Sequence, residues 1–376
     1  MDSDIPYLLL TPGPLTTSKT VKQVMMQDFC TWDDDYNRIV NDIRCRLVRL
    51  ASETDERYTA VLMQGSGTFS VEATVGSVIP PDGKLLVVAN GAYGERIAKI
   101  AERLHIEHDR LASAETEPAD PDRVHRTLAA DARISHVALV HCETTTGMLN
   151  PAEAIGQVVR KHQRIFILDA MSSFGGIPFS MQSSGAHYLV SSANKCIQGV
   201  PGFGFVIADR ETLATTAGWA RSLSLDLFDQ WQEMETKGGK WRFTSPTHTV
   251  RAFAQALDEL DGEGGVVARH QRYRENHRRL VEGMSRLGFR PLLARPLRSP
   301  IITSFLYPDD PKFSFMAFYE AIKRRRFVIY PGKVSDAETF RIGNIGHVFP
   351  EDIDLLINAI AEASAELKLT LCSASS

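Results

Sequence analysis

Short, nearly unbroken apolar runs at residues 58–63, 84–89, 136–141, 165–168, 188–190 and 203–208 predict buried strands. Between them, apolar side chains return every three or four positions, and helices are expected at 16–27, 36–50, 69–78, 95–104 and 152–162. In the second of these, Ile39, Ile43, Leu47 and Leu50 fall on one face. Strands alternating with helices at this spacing predict a mainly parallel sheet with right-handed crossovers. The rhythm then changes. Residues 236–249 are polar and aperiodic, helices are expected at 250–260 and 262–287, and the remainder reads as a small α+β unit with strands 301–306, 327–330 and 340–342 and helices 313–325 and 351–367. The segment Tyr7-Leu8-Leu9-Leu10-Thr11-Pro12-Gly13-Pro14 is stiffened by two prolines and predicted to cross between domains as extended chain.

The carboxyl ends of the predicted strands carry the chemistry. Asp169 ends the run 165–168, and Lys195 follows 188–190 after Ser191-Ser192-Ala193-Asn194. In open α/β sheets that edge is where ligands bind. A lysine able to form a Schiff base and an acid able to keep a pyridine nitrogen protonated together suggest pyridoxal phosphate. The other reading is that both residues merely end strands at solvent. Gln64-Gly65-Ser66-Gly67-Thr68 joins a strand to a helix and offers hydroxyls and free amides, as a phosphate cradle does. No Gly-Lys-Ser/Thr follows it, which disfavours nucleotide triphosphate hydrolysis. Tyr93, in Asn90-Gly91-Ala92-Tyr93-Gly94, either stacks on a flat ring or packs between helix and sheet. Cys142-Glu143-Thr144-Thr145-Thr146-Gly147 brings another hydroxyl-rich turn to the same edge. Cys30-Thr31-Trp32-Asp33-Asp34-Asp35-Tyr36 either lines a site or caps the helix after it. Residues 237–246, rich in donors, are a second possible phosphate contact. Arg341, between apolar neighbours on a strand, fits a clamp for an acidic group of the substrate or a structural salt bridge.

Composition narrows this little. In 376 residues, 43% hydrophobic and 23% charged with a net charge of −4, nothing suggests nucleic acid as a partner. No apolar run is long enough to span a membrane, and the acidic start is unlike a secretion signal, so a cytoplasmic location is expected. Five cysteines without paired spacing read as reduced thiols, Cys196 as a packed one, and the eleven histidines show no metal spacing. The run Arg269, Arg272, Arg274, Arg278, Arg279, interleaved with acids, reads as a solvated helix face.

Taken in order, Thr11-Pro12-Gly13-Pro14, Gly65-Ser66-Gly67-Thr68, Asn90-Gly91-Ala92-Tyr93-Gly94, Glu143-Thr144-Thr145-Thr146-Gly147, Asp169, Lys195, Thr244 and Arg341 resemble the class V aminotransferases of pyridoxal phosphate fold type I. The resemblance covers nearly the whole chain. It implies a mainly parallel seven-stranded sheet flanked by helices, with an N-terminal segment over 1–15, a large cofactor domain over 16–255 and a small C-terminal domain over 256–376. It implies Lys195 as the Schiff-base lysine and Asp169 as partner of the pyridine nitrogen. Ser66, Gly67 and Thr68 would hold the phosphate, with Thr244 reaching it from the other subunit of a homodimer. Tyr93, Thr144 and Asn194 would complete the cofactor site; Arg341, Pro12 and Gly13 would meet substrate. Within the class, the stretch Ala193-Asn194-Lys195-Cys196-Ile197-Gln198-Gly199-Val200-Pro201-Gly202-Phe203 and Thr31-Trp32-Asp33 imply ping-pong transfer of the amino group of 2-aminoethylphosphonate to pyruvate, giving phosphonoacetaldehyde and alanine. Two rival readings stand beside it: an alanine:glyoxylate activity using the same Lys195, Asp169 and Arg341, and a non-enzymatic sensor of pyridoxal phosphate or phosphate.

Overall fold

The computed structural model describes residues 7–53, 56–334 and 336–371. Seven strands form the central sheet: β1 (Tyr58–Gln64), β2 (Lys84–Ala89), β3 (Glu107–Ala112), β4 (Ile134–Val140), β5 (Ile165–Asp169), β6 (Tyr188–Ser192) and β7 (Phe203–Asp209). Their spatial order is β1-β7-β6-β5-β4-β2-β3, and every pairing is parallel except the two made by β7. Helices α1 (Asp34–Ala51), α2 (Gly67–Val78), α3 (Ala92–Arg103) and α4 (Ala152–Lys161) are joined to these strands by short turns. Six of the strands are fully or almost fully buried, which is why their sequences read as continuous apolar runs rather than alternating ones.

The seventh, β3, was not visible as a strand in the periodicity. It is one of the sheet's two edges and, unlike the buried β1 at the other, it is partly exposed, so its sequence Glu-His-Asp-Arg-Leu-Ala is polar. Lys84 fixes its start, lying 2.7 Å from Asp109 and 2.9 Å from Asp131.

α5 (Thr247–Glu263) and α6 (Gly265–Arg286) lead into a second, smaller sheet of β8 (Ile302–Leu306), β9 (Tyr330–Pro331) and β10 (Thr339–Gly343), covered by α7 (Phe315–Arg324) and α8 (Pro350–Glu366). The break between α5 and α6 falls at Gly264, whose φ of 102° a chiral residue rarely adopts. The first predicted helix, 16–27, begins only at Lys19, because the Ser18 hydroxyl accepts from the Val21 amide and caps it there. Asp33 caps α1 in the same way, accepting from the Asp35 amide, so the acidic stretch before that helix does serve as its cap.

One apolar core surrounds the central sheet, from Val21 to Leu260. A second, built on Phe289, Phe305, Phe318 and Phe340, also takes in Leu8 and Leu10 near the start of the chain. A third, small cluster of Leu15, Cys142, Ile177, Cys196, Tyr273, Ile301, Ile302 and Ile345 joins the two, and it lies under the turns that carry the polar residues described next.

Candidate active site

Five strand ends converge at the carboxyl edge of the sheet. The backbone stitches them together: the His141 amide donates to the Asp169 carbonyl (2.8 Å), Ala170 to Val190 (3.0 Å), Ala193 to Phe203 (3.1 Å) and Gly65 to Gly202 (3.0 Å). Asp169 and Lys195 end adjacent parallel strands within this weave. The Asp169 Oδ1 accepts from the Met171 amide at 2.9 Å, and its second oxygen has no donor among the described residues. Burial raises its pKa to about 6 against the pull of that amide, Arg96 and Lys195. That second oxygen is an acceptor open to a further donor.

Lys195 donates from Nζ to the Pro12 carbonyl at 2.9 Å, and burial pushes its amine below the ordinary lysine value, which favours a neutral nucleophile. The N-terminal crossing segment is thus part of the site. Gly13 has φ 124°, and a Cβ there would sit 2.7 Å from Lys195 Nζ, so the lysine takes space only glycine leaves. Asn194 is held by the Ser192 hydroxyl at 3.0 Å.

α2 starts at Gly67, with Ser66 as its cap residue, yet the Ser66 side chain makes no capping bond. The amides of Gly67 and Thr68 therefore point outward without intrahelical acceptors, as the first turn of a helix must. Hydroxyl, amides and helix dipole make an anion cradle. The Thr68 hydroxyl receives Nη1 of Arg96 at 3.1 Å, a residue the sequence reading did not single out. The Arg96 guanidinium lies over the Tyr93 ring, 4.8 Å from its centroid.

Glu143 also went unassigned, although the motif containing it was recognised. Its fully buried carboxylate accepts from the Tyr93 amide (3.1 Å) and the Thr145 hydroxyl (2.8 Å), so it sets the start of α3 and with it the Tyr93 ring. Thr144 contributes its backbone rather than its hydroxyl, accepting Arg341 Nη1 at 3.0 Å. Arg341 also donates from Nε to the Pro331 carbonyl at 2.9 Å and lies over Tyr330, 5.1 Å from the ring centroid. Among the described residues it has no carboxylate partner, so the salt-bridge reading does not hold.

Thr244 stands apart from this group, exposed and without a hydrogen bond among the described residues. The basic run on α6 corrects expectation. Arg269 is 2% exposed and donates to the Cys196 carbonyl at 2.9 Å and to Glu263 at 2.8 Å, while Arg272 donates to the Gly346 and Val348 carbonyls. Two of the five arginines therefore tie α6 to the Lys195 turn and to the smaller unit. Arg278 and Arg279 do face solvent, paired with Glu275. Cys196 is buried and its thiol is pushed up to about 12, the packed thiol expected.

The Asp169 environment has a consequence for the bare chain. A carboxyl whose folded pKa is above its unfolded value loses stability as pH rises from about 3.8 through about 6, because the unfolded state ionises first. Asp169→Asn is therefore expected to stabilise the cofactor-free protein at pH 8, by up to about 3 kcal/mol for a shift of some two units. Thermal unfolding at pH 8 and pH 4.5 checks this: the gain should shrink at the lower pH, and an equal gain at both would assign it to something other than ionisation.

The Aminotransferase class-V family profile matches residues 31–309. A 2-aminoethylphosphonate--pyruvate transaminase of Syntrophobacter fumaroxidans is 65% identical over 358 residues, covering 95% of this chain and 96% of that protein. One of the same name from Phocaeicola vulgatus is 60% identical, covering 94% and 98%. Among solved structures, pyridoxamine-pyruvate aminotransferase from Mesorhizobium loti superposes with a TM-score of 0.89 over 99% of this chain and 95% of its own, at 23% identity, and so shares the fold.

Proposed function

The chain belongs to the class V aminotransferases, and from that premise we propose that it is a pyridoxal phosphate enzyme transferring the amino group of 2-aminoethylphosphonate to pyruvate. One observation carries the reading: a single rim holds an enclosed lysine amine, a buried aspartate with one carboxylate oxygen free of donors among the described residues, and helix amides lacking intrahelical acceptors. Each matches one group of the cofactor. Lys195 suits its aldehyde, Asp169 its ring nitrogen, and Ser66, Gly67 and Thr68 its phosphate, with the Tyr93 ring, Thr144 and Asn194 around the slot. When bound, pyridoxal phosphate supplies an electron-accepting ring that stabilises the carbanion left when the amine-bearing carbon loses a proton.

The chain's own residues do the rest. Lys195 would carry the proton from that carbon, and burial, which lowers its pKa below the ordinary lysine value, favours the unprotonated amine that a base requires. Asp169 would accept a hydrogen bond from the ring N–H and keep that nitrogen protonated. Arg341 receives the acidic end of each substrate in turn, its fork pre-aimed by the Thr144 and Pro331 carbonyls. Pro12 and Gly13 close the pocket beside Lys195.

The test of the reading is to mix the purified, cofactor-loaded protein separately with 2-aminoethylphosphonate and with alanine and follow the cofactor absorbance. Both should bleach it, and borohydride before addition should fix the cofactor to Lys195 in peptide maps. Failure of 2-aminoethylphosphonate to react would remove the proposed donor; a label on another lysine would remove the site.

We further infer a homodimer that places Thr244 against the cradle of its neighbour. Its exposed, unbonded position in the donor-rich stretch before α5 supports this, as does the solvent exposure of Ser66. Mass measured in solution at low concentration should be that of two chains, and a fully active monomer would exclude Thr244 from the site. A cytoplasmic location fits the free thiols of Cys30, Cys45, Cys142 and Cys196; no helix among the described residues is long and apolar enough to cross a membrane.

Arg341→Lys should lower kcat/KM for both amino donors by about ten- to a hundredfold, the worth of a charge-assisted contact of roughly 1.5–3 kcal/mol. Lysine cannot reproduce the fork or satisfy both carbonyls. Single-turnover rates with each donor decide it, and unchanged rates would make Arg341 structural.

A further inference from the structure

Charge does not balance around Tyr93. Several buried or half-buried basic side chains elsewhere meet acids: Lys84 meets Asp109 and Asp131, Arg44 meets Glu235, Arg269 meets Glu263. Three cations at the mouth of the site meet none among the described residues. Arg96 is bound to the Thr68 hydroxyl, which attaches it to the phosphate cradle. Arg341 is bound only to carbonyls. Lys333 has neither hydrogen bond nor ion pair among the described residues; its Nζ lies 5.6 Å from the centroid of the ring of Tyr93, the residue whose amide Glu143 fixes. It lines an open cleft of about 610 Å³ with Arg96 and Lys99. The two acids of that cleft are engaged elsewhere, Glu95 with Arg110 and Glu115 with a partner of its own.

Lys333 and Arg341 also share a frame. Pro331, which accepts from Arg341 Nε, opens the connection that carries Lys333, and Arg341 lies within electrostatic reach of Tyr93. On this basis we propose that Lys333 is the second cation of the substrate's anion site and the residue that selects a phosphonate over a carboxylate. The proposal rests on the substrate reading above. A carboxylate has one charge and two oxygens, both of which the Arg341 fork satisfies. A phosphonate dianion has a third oxygen and a second charge. A flexible ammonium with three donors, unpaired and free to follow the anion, is the complement of that remainder. Alanine and pyruvate, ending in carboxylates, leave it idle.

The experiment uses the cofactor-loaded protein and two unreactive anions of matched chain, ethylphosphonate and propionate, titrated by calorimetry. Lys333→Met should weaken ethylphosphonate by about tenfold or more and propionate by less than about twofold, as loss of one charge-assisted contact implies. In single turnovers the same variant should raise the concentration of 2-aminoethylphosphonate needed for half-maximal rate with little change in the limiting rate. Lys333→Arg should recover most of the loss. Equal weakening of both anions, or of neither, would overturn the assignment. A wild-type protein that ignores ethylphosphonate would be seen before any substitution; that result refutes the substrate reading, and this inference with it.

Discussion

Lys195→Ala should cost more activity than any other single change in the protein, about 10⁴-fold in single-turnover rate with 2-aminoethylphosphonate, the upper range for loss of a positioned acid-base group. The same atom is asked to hold the cofactor and to move the proton, so the two losses coincide. They can be separated. The variant should still take up pyridoxal phosphate, because the Ser66–Thr68 cradle, Asp169 and Tyr93 are untouched, but borohydride should leave no label on it. A small added amine should restore part of the rate, since proton transfer needs a base in the space vacated beside Pro12 and Gly13. Retention of more than about a tenth of the wild-type rate, far above the expected loss, would transfer the base role to another group.

A large effect on stability, coupled to the site, is expected of Gly147→Ala. Gly147 has φ 88° in the turn between the short strands Cys142–Glu143 and Met148–Leu149, and an added Cβ would stand 2.4 Å from the Ile302 carbonyl oxygen. That neighbour is backbone in β8 and cannot swing aside. The left-handed conformation costs a chiral residue roughly 1–2 kcal/mol and overpacking a further 1–3, so about 2–5 kcal/mol is expected. Gly218 provides the control: its φ is 75° but nothing lies within 4 Å of its Cβ position, so Gly218→Ala should show only the backbone part. Denaturant unfolding of both variants measures the difference, and equal losses would refute the packing argument. Gly147→Ala should also weaken substrate binding. The same turn carries the Thr144 carbonyl that aims Arg341, and the Ser304 hydroxyl donates to the Thr145 carbonyl, so a displaced turn takes the guanidinium with it.

What could be read from the sequence follows from where each signal originates. Buried strands such as β4 and β5 are apolar on both faces and announce themselves. β3 does not, because an edge strand's sequence is written by solvent and by Lys84 rather than by the core. Asp169, Lys195 and the Ser66–Thr68 turn were legible because their chemistry is carried by residue type and by position at strand ends. Arg96, Glu143 and Lys333 were not. Their significance is a matter of partners far away in the chain: Thr68 for Arg96, Tyr93 for Glu143, and for Lys333 the lack of any acid. Arg269 shows the same limit from the other side, since five arginines along a helix look alike until the fold buries one of them against the Cys196 carbonyl.

The four described cysteines divide by depth. Cys30 and Cys45 face solvent, whereas Cys142 and Cys196 are buried with thiols pushed up to about 12. A thiol so far from ionisation is a poor nucleophile and a poor target for peroxide. The turn beside the reactive lysine is therefore insulated from oxidative damage, although it carries a sulfur atom next in sequence to that lysine. Among the described cysteines, maleimide dyes and spin labels aimed at surface thiols would react with Cys30 and Cys45, near α1, leaving the sheet rim chemically untouched. The chain thus comes with attachment points for following its association in solution, and no cysteine has to be removed from the rim to use them.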